Sequence, residues 1–130
     1  ATFMLDKEYI PFGYTEDYIK DILVSLTNLG AKIAILTGVS FEKDKLGIAV
    51  YDGKKVDYYF NEKQAVSSHG TGDLYASVVA GALLRGKSLL EAASLGADVV
   101  VEAIKLTAGD KDHWYGVKFE KALPYLIKRL

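Results

Sequence analysis

Apolar residues first recur three and four apart at Ile19, Ile22, Leu23, Leu26 and Leu29, the spacing of one helix face. Thr15 stands where an N-cap is needed, Glu16 and Asp17 suit the positive end of the helix dipole, and Gly30 is placed to close the element. The pattern then changes. Lys32 to Thr37 carries the short run Ile33-Ala34-Ile35-Leu36, which has the length of a strand buried on both faces, and Gly38 follows directly. Leu46 to Tyr51 and Lys55 to Phe60 flank Asp52-Gly53, which predicts two antiparallel strands, with Lys54 leaving the loop type open. From Asp73 to Arg85 the chain is apolar on nearly every side, and the small residues Ala76, Ser77, Ala80 and Gly81 suit a helix lying close against a sheet. Gly86 ends it, Ser88 and Glu91 form a capping box for a helix reaching about Leu106, and Phe119 to Arg129 reads as one more, with Lys128 and Arg129 at its negative end. Helix, strand, hairpin and three helices make an α/β layer architecture, with no internal repeat.

Composition narrows the class. Sixteen Lys plus Arg against seventeen Asp plus Glu leave a net charge of −1, which argues against a nucleic-acid or anionic-membrane partner. Half of the 130 residues are hydrophobic and two are Pro, as expected of one folded domain. The absence of Cys excludes disulfides, thiolate catalysis and Cys-ligated zinc and is compatible with a reducing cytoplasm. The longest apolar stretch, around Ala76 to Leu84, is interrupted by Ser77 and Gly81 and falls short of the ~18 residues of a membrane span.

The strongest local chemistry is Ser68-His69-Gly70-Thr71-Gly72-Asp73, a Gly-rich turn that opens a helix. Glycines there let successive N–H groups converge, and the helix dipole adds positive potential, so the turn suits a phosphate. Asp73 at a helix N-terminus is favoured in its ionised form and is only weakly basic, which phosphoryl transfer tolerates because catalysis there rests on positioning and electrostatics. Spacing alone leaves a second reading open, in which the glycines make a tight turn and Asp73 caps the helix.

Three segments carry a family resemblance: Leu36-Thr37-Gly38-Val39-Ser40, then His69-Gly70-Thr71-Gly72-Asp73-Leu74-Tyr75-Ala76-Ser77, then Trp114-Tyr115-Gly116-Val117 with Phe119-Glu120 and Ala122-Leu123-Pro124. Through them the chain resembles the ribokinase-like (PfkB) superfamily of small-molecule kinases and, within it, the C-terminal half of pyridoxal/pyridoxamine kinases. The resemblance implies the nucleotide-binding portion of a three-layer α/β sandwich, using ATP and Mg²⁺ to phosphorylate the hydroxymethyl group of a B6 vitamer. It implies that Asp73 is the general base and that the amides of Gly70, Thr71 and Gly72 form the anion hole. Thr37 and Gly38 would border the ATP phosphates, consistent with ligand sites at strand ends, and Val66 with Val101 or Ile104 would flank adenine. A cytoplasmic enzyme is expected, homodimeric when full-length or paired with a separate N-terminal half.

The departure from the family is at the front. Relatives carry a Pro-Asn-x-x-Glu-Ala segment whose Asn and Glu help place Mg²⁺ and phosphate; Ala1 matches only its final Ala, so the chain is expected to be a fragment whose metal ligands cannot be assigned. A hydroxymethylpyrimidine kinase and a non-catalytic anion-binding fragment are the rival readings. His69 and His113 are too few for a His-based metal site, and His69 reads as a turn residue beside the phosphates. Trp114 and Tyr115 read as packing between helices rather than a ligand cover, and Lys43, Lys45, Lys54 and Lys55 as solvated.

Overall fold

A computed structural model describes residues 1–65 and 68–130. The chain divides into two compact units, Ala1–Glu62 and Lys63–Leu130. Their elements follow the expected order, with shifted boundaries.

In the first unit, helix α1 spans Glu16–Asn28, and the Tyr18 amide donates to Thr15 Oγ1 at 3.3 Å, so Thr15 is the cap its chemistry predicts. Ile19, Ile22 and Leu23 are buried, whereas Leu29 falls just past the last turn and is 62% exposed. Strands β1 (Ala34–Val39), β2 (Lys45–Tyr51) and β3 (Val56–Glu62) form an antiparallel sheet in the order β1-β2-β3. Strand β1 is not buried on both faces, since Thr37 and Gly38 are exposed. It pairs on one side, with β2, Ile33 is exposed ahead of it, and Ile35 and Leu36 are half-buried. The register slips between Thr37 and Val39, and Gly38, at φ +76°, supplies the left-handed backbone of this irregularity.

The hairpin is tight because Asp52 Oδ1 accepts from the amides of Lys54 and Lys55, both at 2.9 Å, while Gly53 takes φ +91°. These two amides hold the Asp52 carboxyl below its ordinary value. Tyr51 faces Val56, Ala49 faces Tyr58 and Gly47 faces Phe60, so one sheet face is aromatic. Tyr14, Tyr18, Tyr58 and Phe60 pack with Leu36 on a core of Ile19, Leu23, Ala34, Val39 and Ala49.

The second unit is helical. Helix α2 spans Thr71–Leu84, α3 spans Leu89–Thr107 and α4 spans Phe119–Ile127. The capping box is complete: Ser88 Oγ accepts from the Glu91 amide, and Glu91 Oε2 accepts from the Ser88 amide at 2.9 Å. Val78, Val79 and Ala82 of α2 are buried with Ala92, Ala93, Leu95, Val99 and Ala103 of α3, where small side chains permit close helix approach. Gly96 is part of that fit, since a Cβ there would lie 2.8 Å from Val79 Cγ2 and 3.0 Å from the Tyr75 ring. Helix α4 stops at Ile127, before Lys128 and Arg129; Arg129 instead pairs with Asp98 of α3 at 2.6 Å.

Candidate active site

Helix α2 begins two residues earlier than the apolar pattern indicates, and this decides the geometry of the turn. Gly70 is the N-cap, at φ +78°, and has no side chain with which to cap. The first intrahelical bond runs from the Leu74 amide to the Gly70 carbonyl at 3.1 Å, so the amides of Thr71, Gly72 and Asp73 precede the helical ladder. Gly70 and Gly72 are exposed, and a Cβ on either would meet nothing within 4 Å, which leaves room for a ligand against the backbone. Asp73 sits in the first turn, exposed, and its carbonyl accepts from Ser77 Oγ at 2.8 Å.

A cleft of about 590 Å³ opens beside this turn. Gly70, Asp73, Leu74, Ser77 and Val78 of the turn and α2 form one wall. His113, Tyr115, Gly116 and Val117, with Phe119, Glu120, Leu123 and Leu126 of α4, form the other. Its walls are mainly apolar, with Asp73, Ser77, His113, Tyr115 and Glu120 as polar side chains, the usual character of a small-molecule site.

The loop that carries His113 is tied down at several points. Thr107 Oγ1 accepts from the Lys118 amide at 2.8 Å and donates to the Ala103 carbonyl at 2.7 Å, joining the loop's far end to α3. Asp110 Oδ1 accepts from the Asp112 amide at 3.0 Å, and the Lys118 ammonium pairs with Asp110 Oδ2. The Lys118 bond and the Asp112 amide hold the Asp110 carboxyl below its ordinary value. His113 Nδ1 lies 3.3 Å from Asp110 Oδ2 but is not aligned as a hydrogen bond. Farther along α2, the Tyr75 hydroxyl is buried without a hydrogen-bond partner among the described residues, and burial pushes the phenol up to about 12.

Gly70, Thr71, Gly72 and Asp73 are thus brought together at one helix end. Thr37 and Gly38 lie in the first unit, within β1, and line a separate cleft of about 250 Å³ there with Tyr14, Tyr18 and Leu36. Val101 and Ile104 are half-buried on α3 and are not among the residues that line the Asp73 cleft, and Val66 lies outside the described residues. Trp114 and Tyr115 are not packed between helices: they are 78% and 61% exposed. Ser77, Glu120, Phe119 and Leu123 stand in the segments that carry the family resemblance, but the sequence reading gave them no place in a site, although Phe119, Leu123 and Leu126 stand at helical spacing. Among the described residues no group of three or more His, Cys, Asp or Glu is arranged to hold a metal ion, and no helix is long and apolar enough to cross a membrane.

The sequence profile of the phosphomethylpyrimidine kinase family matches residues 7–117. No curated protein sequence matches the chain. Among solved structures, a protein from Bacteroides thetaiotaomicron assigned as a phosphomethylpyrimidine kinase is similar over 96% of this chain and 44% of its own, at 27% identity and a TM-score of 0.88. An orthorhombic crystal form from that organism, with pyridoxal, gives 27% identity and a TM-score of 0.87 over 97% of this chain and 46% of its own. The pyridoxal kinase of Staphylococcus aureus, in complex with AMP-PCP and pyridoxal, is similar over 82% of this chain and 40% of its own, at 25% identity and a TM-score of 0.69. The chain therefore has the α/β fold of these kinases and spans less than half the length of each.

Proposed function

This chain belongs to the phosphomethylpyrimidine kinase family, and we propose that the protein carrying it transfers the γ-phosphoryl group of ATP to the hydroxymethyl oxygen of a B6 vitamer. The observation that supports this most directly is the start of α2, where the amides of Thr71, Gly72 and Asp73 precede the helical ladder and Asp73 lines a cleft. In this reading Asp73 takes the proton of the acceptor hydroxyl as the oxygen attacks the γ-phosphorus and the bond to the ADP oxygen breaks. The amides of Gly70, Thr71 and Gly72 stabilise the charge on the equatorial phosphoryl oxygens. Thr37 and Gly38 border the ATP phosphates, and Val66 with Val101 or Ile104 flanks adenine. Mg²⁺ would supply charge neutralisation when bound, but no ligand set for it is found among the described residues. That the Staphylococcus aureus relative holds an ATP analogue together with pyridoxal supports ATP and a pyridine alcohol as the substrate pair.

The family description favours a second acceptor, a hydroxymethylpyrimidine. Both acceptors are flat heteroaromatic rings bearing a primary alcohol, so the same base and anion hole serve either. One experiment tests the common mechanism and separates the acceptors. In the natural polypeptide that carries these residues, Asp73→Asn should lower kcat by ~10²–10⁴-fold while leaving ATP affinity nearly unchanged, because the phosphate-binding amides remain. Steady-state kinetics with pyridoxal and with hydroxymethylpyrimidine should show the larger kcat/KM for pyridoxal. Unchanged kcat in the variant would leave Asp73 a structural residue, and a preference for the pyrimidine would transfer the assignment to the second acceptor.

A further inference from the structure

The loop opposite Asp73 presents aromatic side chains to solvent that an ordinary helix connection would bury or omit. Trp114 is 78% exposed and Tyr115 61%, and their rings meet edge to face at 6.0 Å and 87°. Tyr115 is nevertheless held in place. Its hydroxyl lies 3.3 Å from His113 Nε2, and the two rings are 5.1 Å apart and tilted by 33°. His113 Nδ1 in turn lies 3.3 Å from Asp110, which Lys118 and the Asp112 amide secure. Ordering exposed side chains costs rotamer entropy, and surface pairs return little of it, so a chain of contacts ending on an exposed phenol contributes little to folding.

The same phenol and imidazole line the cleft that holds Asp73. The charge of that cleft distinguishes its occupants. Among the described residues that line it are two carboxylates, Asp73 and Glu120, and one His, with no Lys or Arg. A triphosphate extending from the Gly70 turn across this cleft would meet Glu120 with no described Lys or Arg to offset it, whereas an uncharged ring would be accepted by Leu74, Val78, Phe119 and Leu123. A base at Asp73 also has to come within ~2.6–3.2 Å of the acceptor hydroxyl, which places the acceptor ring within reach of this cleft.

We infer that Tyr115 contacts the heteroaromatic acceptor in the Asp73 cleft, and that His113 is a positioning residue that holds the Tyr115 phenol for it. This rests on the kinase reading above for the identity of the acceptor, but not for its test. Trp114, edge-on to Tyr115, is the reporter, and pyridoxine is the probe, because it lacks the aldehyde that would form imines with lysines. In the natural polypeptide that carries these residues, pyridoxine should quench the Trp114 fluorescence saturably, with Trp114→Phe as the blank, and AMP-PCP alone should not. Tyr115→Phe should weaken pyridoxine affinity about 3- to 10-fold, the effect of one neutral hydrogen bond. His113→Phe should weaken it equally, and the double variant no further, since one residue acts through the other.

Quenching by AMP-PCP but not pyridoxine, wild-type affinity in Tyr115→Phe, or additive losses in the double variant would each overturn the inference. Should His113→Phe fail to fold, the exposed Tyr115→Phe decides alone. The kinase reading is judged separately by turnover. Phosphoryl transfer without a Trp114 response would sink the inference and keep the kinase; saturable, Tyr115-dependent binding without transfer would do the reverse.

Discussion

Tyr75 occupies the side of α2 that meets α3, and its environment treats its two parts differently. The ring fits against Gly96, while the hydroxyl is buried without a partner among the described residues. Burial disfavours the phenolate and raises the phenol from 10.0 to about 12. Because the folded value is the higher one, the resulting stability is fully present below the unfolded value and is lost as pH rises from about 10 through about 12. Tyr75→Phe should therefore remove one late-titrating phenol from the alkaline absorbance titration and flatten the alkaline limb of stability. At neutral pH it should leave Tm unchanged or raise stability by up to about 1 kcal/mol, because no hydrogen bond is lost and a buried hydroxyl is removed. A marked fall in Tm would mean that the hydroxyl has a partner after all.

Between elements, close approach is the recurring device, and the β2–β3 pair shows it most sharply. A Cβ on Gly47 would lie 2.1 Å from the Tyr59 carbonyl oxygen and 3.0 Å from Phe60 Cα, both backbone atoms that cannot turn aside. Gly47→Ala should force the strands apart and cost about 3 kcal/mol or more, the upper end of overpacking; a thermal melt within a degree or two of wild type would refute this. The α3–α4 connection is held by charge instead. Asp110 has its carboxyl held below the ordinary value by Lys118, so that contribution is present above the unfolded value near 3.8 and is lost as pH falls through the lower folded value. The stability gap between wild type and Asp110→Asn should close progressively as pH drops below about 3.8. A gap that persists into strong acid would point to packing rather than pairing.

For the molecule as a whole, the decisive comparison is length. Similar kinases are more than twice as long, with 44% of one and 40% of another covered by this chain. Residues 1–130 expressed alone should show no measurable pyridoxal kinase activity under saturating ATP and Mg²⁺. Holding nucleophile, phosphate and metal in line is worth up to ~7–11 kcal/mol in favourable cases, and fewer than half of a relative's residues are present to do it. Large apolar side chains are also open to solvent, Leu84 at 89%, Ile127 at 69% and Phe119 at 46%, so the isolated chain should self-associate in sedimentation experiments. Pyridoxal phosphate formation by a monodisperse monomer would overturn both expectations.

Caps, turns and periodicity were legible in the residues because they are local. Thr15, the Ser88–Glu91 box and Asp52-Gly53 satisfy backbone groups only a few positions away, so their chemistry identifies them without tertiary information. That the Gly70–Asp73 turn opens a helix was legible for the same reason, because glycines and a first-turn carboxylate suit a helix start. Burial was not. Ile33-Ala34-Ile35-Leu36 reads as a fully buried strand, yet what covers a strand's faces depends on which elements pack on the sheet, and here Ile33 stays exposed while Ile35 and Leu36 are half-buried. The cleft was equally out of reach: Asp73 and Glu120 are 47 positions apart, and only the packing of α4 on α3 brings the second wall opposite the first. Aromatic residues are buried by default in any sequence reading, because apolar area drives folding; the tertiary structure left Trp114 and Tyr115 in solvent by anchoring their loop through Thr107, Asp110 and Lys118 instead.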